Sequence, residues 1–202
     1  MTFAIVPACG HSTRMGRPKL SLPLGDRTVI ESVVSALRDG GAEHVLVVVG
    51  PHVPELIPLA AAAGAGVLAL AEPTADMRET VVHGLAWAEL YHHPRPDDWW
   101  LLTPADCAAF PPDVVRQLVG VAGGDTSDTV IVPLHEGRRG HPVLLRWHHA
   151  AGIRALAHGE GINLYLRRFA AETRELPVPH TGVVADMDTP QDYARISDGT
   201  FQ

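Results

Sequence analysis

The fold is decided by a short apolar run and the loop that follows it, TFAIVPACGHSTRMGRPK (residues 2–19). The first seven of these residues are almost all apolar, which is typical of a strand buried on both faces of a parallel sheet. The loop then carries two glycines, so its backbone N–H groups can face a phosphate. Its spacing fits neither the Walker loop nor the dinucleotide fingerprint. Because it also carries Arg14 and Lys19, spacing alone leaves two interpretations: a phosphate-binding loop or a surface turn with solvated basic residues.

Strand and helix patterns alternate through the first half of the chain. Apolar runs predict strands over 2–8, 44–50, 66–70 and 98–106. Helical patterns lie between and after them: a helix opened by the capping box Thr28–Glu31, then 55–63, 77–91 (with Asp76 and Glu79 as a cap pair) and 112–121. Repeated strand–helix units imply a parallel sheet with helices on both sides. In such a sheet, ligands bind beyond the carboxyl ends of the strands.

The second half of the chain changes pattern. Residues 129–147 form two apolar runs around a glycine-bounded turn, which predicts a hairpin and hence an antiparallel element. Helices are predicted over 148–158 and 162–171, a strand around 183–187, and a final helix opened by Thr189 and Pro190. We therefore expect a single α/β domain, residues 1–202, with a three-layer Rossmann-like architecture.

Composition narrows the classes of function. The chain has 202 residues, 46% of them hydrophobic, which suits a globular core. A net charge of -7 disfavours nucleic acid as a partner. The N-terminal sequence does not resemble a signal peptide, and no apolar run reaches the roughly 20 residues of a membrane span. Two cysteines are too few for a disulfide framework. We expect a cytoplasmic protein.

Three segments together resemble one family. Residues 7–19 resemble the loop L-A-A-G-x-S-x-R-M-G-x-P-K of MobA-like nucleotidyltransferases, differing at Pro7 and Cys9. Residues 134–145, LHEGRRGHPVLL, resemble the G-x-x-G-H-P segment of the molybdopterin cytidylyltransferase branch, and residues 186–193, DMDTPQDY, resemble its D-I-D-T-P-x-D. The resemblance implies a transferase in molybdenum cofactor biosynthesis that moves CMP from CTP to a phosphate acceptor with Mg²⁺ and releases pyrophosphate.

The resemblance also assigns roles to residues. Arg14, Lys19 and Asp106 are the expected catalytic residues, with Asp106 and Asp188 holding the metal. Further roles would fall to residues along the cleft: Ala8, Cys9, Gly10, His11, Ser12, Met77 and Thr80 for the nucleotide, and Gly140, His141 and Pro142 for the acceptor. Three of these assignments have a plainer alternative. Asp106 sits in TPADC where G-D-M-P is common and could cap a turn, Asp188 could belong to a helix cap, and RRG could be an ordinary hairpin turn.

The substrate assignment has alternatives as well. We expect CTP as the nucleotide and molybdopterin as the acceptor, with possible onward transfer of the cofactor to a molybdenum hydroxylase. The alternatives are GTP, a sugar or alcohol phosphate acceptor, or a nucleotide-binding chaperone or regulator that has lost transfer. Cys9 and Cys107 are interpreted as small apolar replacements, and a redox-sensitive pair beside the cleft is the alternative.

Overall fold

A computed structural model describes residues 1–124 and 126–199. In chain order its strands are β1 (Thr2–Ala8), β2 (Pro23–Leu24), β3 (Arg27–Thr28), β4 (His44–Val49), β5 (Gly66–Ala69), β6 (Trp99–Leu102), β7 (Val130–His135), β8 (Arg138–Arg139), β9 (Val143–Arg146) and β10 (Thr173–Pro177). Its helices are α1 (Val29–Asp39), α2 (Leu56–Ala62), α3 (Met77–His92), α4 (Pro112–Ala122), α5 (His149–Arg154), α6 (Ile162–Arg167) and α7 (Pro190–Ser197). Short 3-10 turns lie at Thr13–Met15, Ala170–Glu172 and Thr181–Val184.

The main sheet has the strand order β10-β7-β9-β6-β1-β4-β5, with β8 paired to the outer part of β7. Strand β1 is parallel to both of its neighbours, β4 and β6. Strand β9 is antiparallel to both β6 and β7 and is the main antiparallel element. The prediction of an α/β fold with a mostly parallel sheet and an antiparallel hairpin element is therefore confirmed.

Helices cover both faces of the sheet because successive side chains of each strand point to opposite sides. In β1, every residue of which is buried, Ala4 and Val6 pack in one apolar cluster with α1 and α4. Phe3 and Ile5 pack in a second cluster with α3, α5 and α6. The result is a three-layer arrangement, with the carboxyl ends of β1 and β6 side by side.

Local capping signals are borne out where the helices begin. Thr28 accepts a hydrogen bond from the Glu31 backbone N–H, and Glu31 accepts one from the Thr28 N–H at 2.7 Å. Asp76 likewise accepts from the Glu79 N–H at 2.8 Å, which fixes the start of α3. Thr189 and Asp192 form a second capping box at α7. These caps satisfy N–H groups that have no partner inside the helix.

The predicted strand at 183–187 is wrong. The segment forms a 3-10 turn followed by irregular backbone, and the strand missed by the sequence is β10, which pairs with β7. Val183 and Met187 are apolar because they fill the core, and Gly182 lies so close to the Ala109 carbonyl that a Cβ would come within 2.0 Å of it. Two helices are also shorter than predicted, since α5 ends at Arg154 and α6 at Arg167. The small β2–β3 hairpin was not predicted.

Within residues 1–124 and 126–199, no helix combines the length and the apolar character needed to cross a bilayer.

Two helical glycines give opposite predictions for stability. A Cβ on Gly84 of α3 would lie 2.8 Å from Ile5 Cγ2, on the strand that leads into the loop, whereas a Cβ on the exposed Gly120 of α4 would meet nothing within 4 Å. We expect Gly84→Ala to lower the free energy of unfolding by about 1–2 kcal/mol through overpacking. Gly120→Ala should raise it by about 0.5–1 kcal/mol through helix propensity. Urea unfolding measures both, and equal signs for the two variants would contradict the packing shown for α3.

Candidate active site

The loop after β1 is held by a sharp local fold. Ser12 and Gly16 adopt left-handed backbone with φ of 50° and 67°, on either side of the 3-10 turn Thr13–Met15. The Met15 side chain is buried and anchors the turn. Gly10 has open space where a Cβ would stand, so the backbone there is accessible to a ligand.

A cleft of about 300 Å³ lies beside this loop, beyond the carboxyl ends of β1 and β6. It brings together most of the residues that were expected to bind nucleotide or catalyse its transfer: Ala8, Cys9, Gly10, His11, Lys19, Met77, Thr80 and Asp106. Ser12 and Arg14 do not line it. The Ser12 Oγ instead accepts a hydrogen bond from the Lys19 backbone N–H at 3.3 Å, which closes the loop on itself.

The main chain places two aspartates next to each other. After β6 the Ala105 N–H donates to the Pro7 carbonyl at 3.3 Å, so Asp106 follows beside the end of β1. The Met187 N–H donates to the Asp106 carbonyl at 3.3 Å, which sets Asp188 alongside. Segments that are far apart in the chain therefore meet at one point of the cleft edge.

Lys19 binds both of these aspartates. Its Nζ donates to Asp106 Oδ2 at 2.6 Å, to the Met187 carbonyl at 2.8 Å and to Asp188 Oδ1 at 3.1 Å. The residue is only 8% exposed. Burial by itself lowers the pKa of Lys19, but the charges and hydrogen bonds of Asp106 and Asp188 outweigh it and raise the pKa above the usual value. Lys19 is therefore a charged, buried group at the cleft edge with three oxygen acceptors around its ammonium.

The same two carboxylates are suited to a divalent cation. Their oxygens already converge on one ammonium nitrogen, which stands where a small cation would bind. Mg²⁺ is usually held by one or two carboxylates together with water and substrate phosphates. The described part of the chain has no group of three or more histidine, cysteine or acidic side chains arranged for a metal. The arrangement fits a cation that is shared with a ligand.

Arg14 lies on the outer side of this cluster. Its Nη1 donates to Asp188 Oδ2 at 2.6 Å, while its side chain remains 72% exposed. An exposed ion pair of this kind is weak and easily exchanged. Arg14 can therefore leave Asp188 for an anionic ligand at the mouth of the cleft.

The two cysteines lie in different surroundings. The Cys9 thiol faces the Val48 carbonyl at 3.6 Å and packs with the α3 side of the sheet, whereas Cys107 donates to Asp186 Oδ1 at 3.1 Å and packs on the other side. Burial raises the pKa of both thiols, and most strongly that of Cys107. Both are free. Separate clusters and separate partners favour the interpretation as small apolar residues over a redox pair.

Only two of the three residues expected to bind the acceptor line a cavity. Gly140 and His141 line a second cavity, of about 240 Å³, but Pro142 is buried and does not. Only glycine fits at position 140, because the Val183 backbone packs so closely against it that a Cβ would lie 2.3 Å from the Val183 carbonyl oxygen. Burial lowers the pKa of His141, and the charges of Asp186 and Asp106 oppose that shift. His141 thus lines the second cavity while its ring lies within range of the charges of Asp186 and Asp106.

Sequence reasoning missed several lining residues. Leu20, Thr74 and Ala105 line the cleft, and the Thr74 and Thr80 hydroxyls are hydrogen-bonded at 2.7 Å. His11 stacks on His52 from the loop after β4, with ring centroids 3.9 Å apart. His52 belongs to no motif, and Thr74 is not among the positions that the family pattern specifies, so the sequence carried no signal for either beyond its place after a strand.

A glycine-containing loop, a buried lysine and paired aspartates at the carboxyl edge of a parallel sheet are features of proteins that handle nucleotide phosphates. Residues 4–176 match the model of the MobA-like NTP transferase domain. The chain belongs to this family of nucleotidyltransferases, as its motifs predicted. No curated protein matches the chain significantly.

Solved structures share the whole fold at low identity. Rv0371c from Mycobacterium tuberculosis H37Rv is 23% identical with a TM-score of 0.78, and the alignment covers 98% of this chain and 97% of that one. Rv0371c has also been solved in complex with manganese. The nucleotidyl transferase Mth528 from Methanothermobacter is 21% identical with a TM-score of 0.80, covering 98% and 97%. A cytidylyltransferase from Leptospira borgpetersenii is 14% identical with a TM-score of 0.74, covering 100% and 87%.

Proposed function

We propose that the protein transfers CMP from CTP to the phosphate of an acceptor, releases pyrophosphate and uses a divalent cation such as Mg²⁺. Molybdopterin is the acceptor that its motifs favour. The observation that carries the proposal is the meeting of Lys19 with Asp106 and Asp188 at the edge of the cleft. Membership of the MobA-like family supports the reaction class, and the proposed specificity depends on the motifs at residues 134–145 and 186–193.

The loop and its cations would bind the triphosphate. The accessible backbone around Gly10 to Ser12 supplies N–H groups, and Arg14 and Lys19 supply positive charge. Met77 and Thr80 at the start of α3 line the opposite wall and would contact base and ribose. In phosphoryl chemistry the protein contributes mainly position and electrostatic stabilisation. These residues offer both.

Asp106 and Asp188 would hold the cation. When bound there, a divalent cation would neutralise charge on the phosphate oxygens and on the departing pyrophosphate. The two aspartates already pair with one cation, the Lys19 ammonium, so their oxygens are placed to bind a metal cation as well. The manganese complex of Rv0371c, a protein of the same fold, also supports a divalent metal. Lys19 would then direct its ammonium to the phosphates.

The transfer itself exchanges one phosphoanhydride bond for another. An oxygen of the acceptor phosphate attacks the α-phosphorus of CTP, and the bond between that phosphorus and the bridging oxygen of the β-phosphate breaks. The electron pair of the broken bond leaves with pyrophosphate. Gly140 and His141 would lie beside the attacking phosphate, because they belong to the G-H-P segment that the resemblance assigns to the acceptor and they line the same cavity.

The preference for CTP depends on the wall of the cleft. Cys9 stands where the family usually has a smaller residue, and its side chain is packed beside Thr74 and Thr80. The added bulk suits a pyrimidine better than a purine. The Pro18–Lys19 pair and the RGHP segment also resemble the cytidylyl branch, and one structure of the same fold is a cytidylyltransferase.

A second candidate is a nucleotide-binding regulator without turnover. The observation that favours it is that Lys19 contacts three oxygen acceptors, so that its donors are engaged within the protein. Such a protein would bind CTP but keep Lys19 in place. Transfer to a sugar or alcohol phosphate, or from GTP, would retain the site and change only its specificity.

The test is a substrate panel with purified protein. Each of the four nucleoside triphosphates is combined with Mg²⁺ and molybdopterin, and pyrophosphate release is measured. We expect release with CTP and much less with GTP, and Arg14→Ala should reduce it. Binding of CTP without release, for molybdopterin and for sugar and alcohol phosphates alike, would support the regulator. Full release from the Arg14→Ala variant would contradict the proposed phosphate site.

A further inference from the structure

The second cavity has an apolar floor. It lies against the α3-side face of the sheet, where β7 and β9 pair beneath α6. Val130, Val132 and Val143 form the floor and are between 2% and 8% exposed, and Leu166 of α6 covers them. A surface of this kind gains little from a polyol, whose hydroxyls would lose their hydrogen bonds to water without replacement. The floor therefore favours an apolar organic group.

The polar groups of the cavity come from a different element. Asn163 and Arg167 are four residues apart on α6, so they lie on the same face of the helix, and both line the cavity. Arg139 also lines it, but its Nε is paired with Glu175 at 2.8 Å. Arg167 is exposed and has no ion pair within the described residues, unlike its neighbour Arg168, which is paired with Glu160. Arg167 is therefore the cation of this lining that has no competing ion pair among the described residues, whereas Arg139 would have to share its charge with Glu175.

The cavity adjoins the reacting centre. Gly140 and His141 belong to its lining, and the pKa of His141 reflects the nearby charges of Asp186 and Asp106. Val143 pairs with Leu102, the last residue of β6, four residues before Asp106. One side of the cavity therefore lies next to the carboxyl end of β6, the strand that leads to Asp106.

Resting on the proposed nucleotidyl transfer, but not on molybdopterin as its acceptor, we propose that this cavity binds the acceptor and selects its chemical class. The acceptor is a phosphomonoester with a compact apolar body that carries a second anionic or carbonyl oxygen. Its phosphate lies beside Gly140 and His141, its body against the valine floor, and its second oxygen group accepts hydrogen bonds from Arg167 and Asn163. The volume of about 240 Å³ suits a compact ligand, since pockets for drug-sized molecules have roughly 300–1,000 Å³.

Three phosphomonoesters test this assignment by calorimetry without nucleotide or metal: 4-carboxyphenyl phosphate, phenyl phosphate and erythritol 4-phosphate. We expect the carboxylated ester to bind the native protein about tenfold more tightly than phenyl phosphate, as one charge-assisted hydrogen bond allows. Arg167→Ala should remove this difference. Arg168→Ala, on the neighbouring exposed arginine, should preserve it. Erythritol 4-phosphate should bind most weakly of the three.

Other outcomes would overturn the assignment. A carboxylate preference that persists in Arg167→Ala, or tighter binding of erythritol 4-phosphate, would exclude the acceptor class. If Arg138→Ala weakens binding and Arg167→Ala does not, the acceptor belongs in the cavity beside Asp186 and Asp188, which Arg138 lines. The proposed function is judged separately by pyrophosphate release from CTP. Release that proceeds while Arg167 has no effect on the probes would reject only the acceptor site.

Discussion

Asp106→Asn is expected to reduce metal-dependent release of pyrophosphate by about a thousandfold or more, because a metal centre contributes several kcal/mol to the transition state. The substitution keeps the shape of the side chain and removes its charge. The altered residue can no longer act as an anionic metal ligand, nor form the 2.6 Å ion pair with Lys19. The measurement is the rate with CTP, Mg²⁺ and acceptor, at saturating concentrations of each.

Asp113→Asn is the matched control for this variant. Asp113 is exposed on α4 and, within residues 1–124 and 126–199, forms an ion pair only with Arg116, so the rate should not change. The Asp106→Asn protein should still fold, since Lys19 retains Asp188 and the Met187 carbonyl, and its thermal unfolding shows whether it does. A folded variant that keeps more than a tenth of the native rate would remove Asp106 from the proposed metal site.

Lys19→Met should produce two opposite effects. Turnover should fall about a hundredfold or more, as expected when a preorganised cation is removed from a phosphoryl transition state. Affinity for Mn²⁺ in the absence of nucleotide should increase about tenfold, because the metal no longer displaces an ammonium with hydrogen bonds to both carboxylates. Electron paramagnetic resonance of unbound Mn²⁺ measures this affinity directly.

Arg17→Met provides the comparison for Lys19→Met. Arg17 belongs to the same loop and carries the same charge, but its guanidinium lies 5.6 Å from the Tyr193 ring centroid and pairs with neither aspartate. Its removal should leave Mn²⁺ affinity nearly unchanged. If Lys19→Met weakened Mn²⁺ binding, or if both variants strengthened it equally, the ammonium and the metal would not share one position.

Local patterns predicted the parts of the fold that depend on neighbours in sequence. The buried run of β1, the Thr28–Glu31 capping box and the start of α7 at Pro190 are determined by periodicity and by caps within a few residues. The segment 183–187 was misassigned because an apolar residue is needed equally in a strand and in a loop that fills the core. Strand β10 was missed because it is an edge strand with charged, exposed residues.

The candidate site was predicted as a set of residues and not as a set of contacts. Motif resemblance selected Lys19, Asp106 and Asp188, which the structure brings within hydrogen-bond distance of one another through the lysine. It did not indicate that the lysine binds both aspartates, because that depends on the meeting of β1, β6 and the segment before α7. Arg167 escaped notice because α6 carries no motif and its position over β7 and β9 is set by tertiary packing.

The contacts of Lys19 also bear on how the chain folds. Lys19 and Asp188 are 169 residues apart, and Arg14 and Asp188 are 174 apart, whereas β1 and β4 pair across a much shorter stretch. Closing a longer loop costs more conformational entropy, so contacts that span most of the chain form late. The loop and the first strands can therefore form the cleft before Asp188 reaches Lys19 and Arg14. A protein in which only the segment after β10 is displaced would keep its sheet and the Lys19–Asp106 pair, while Lys19 would lose Met187 and Asp188 as partners.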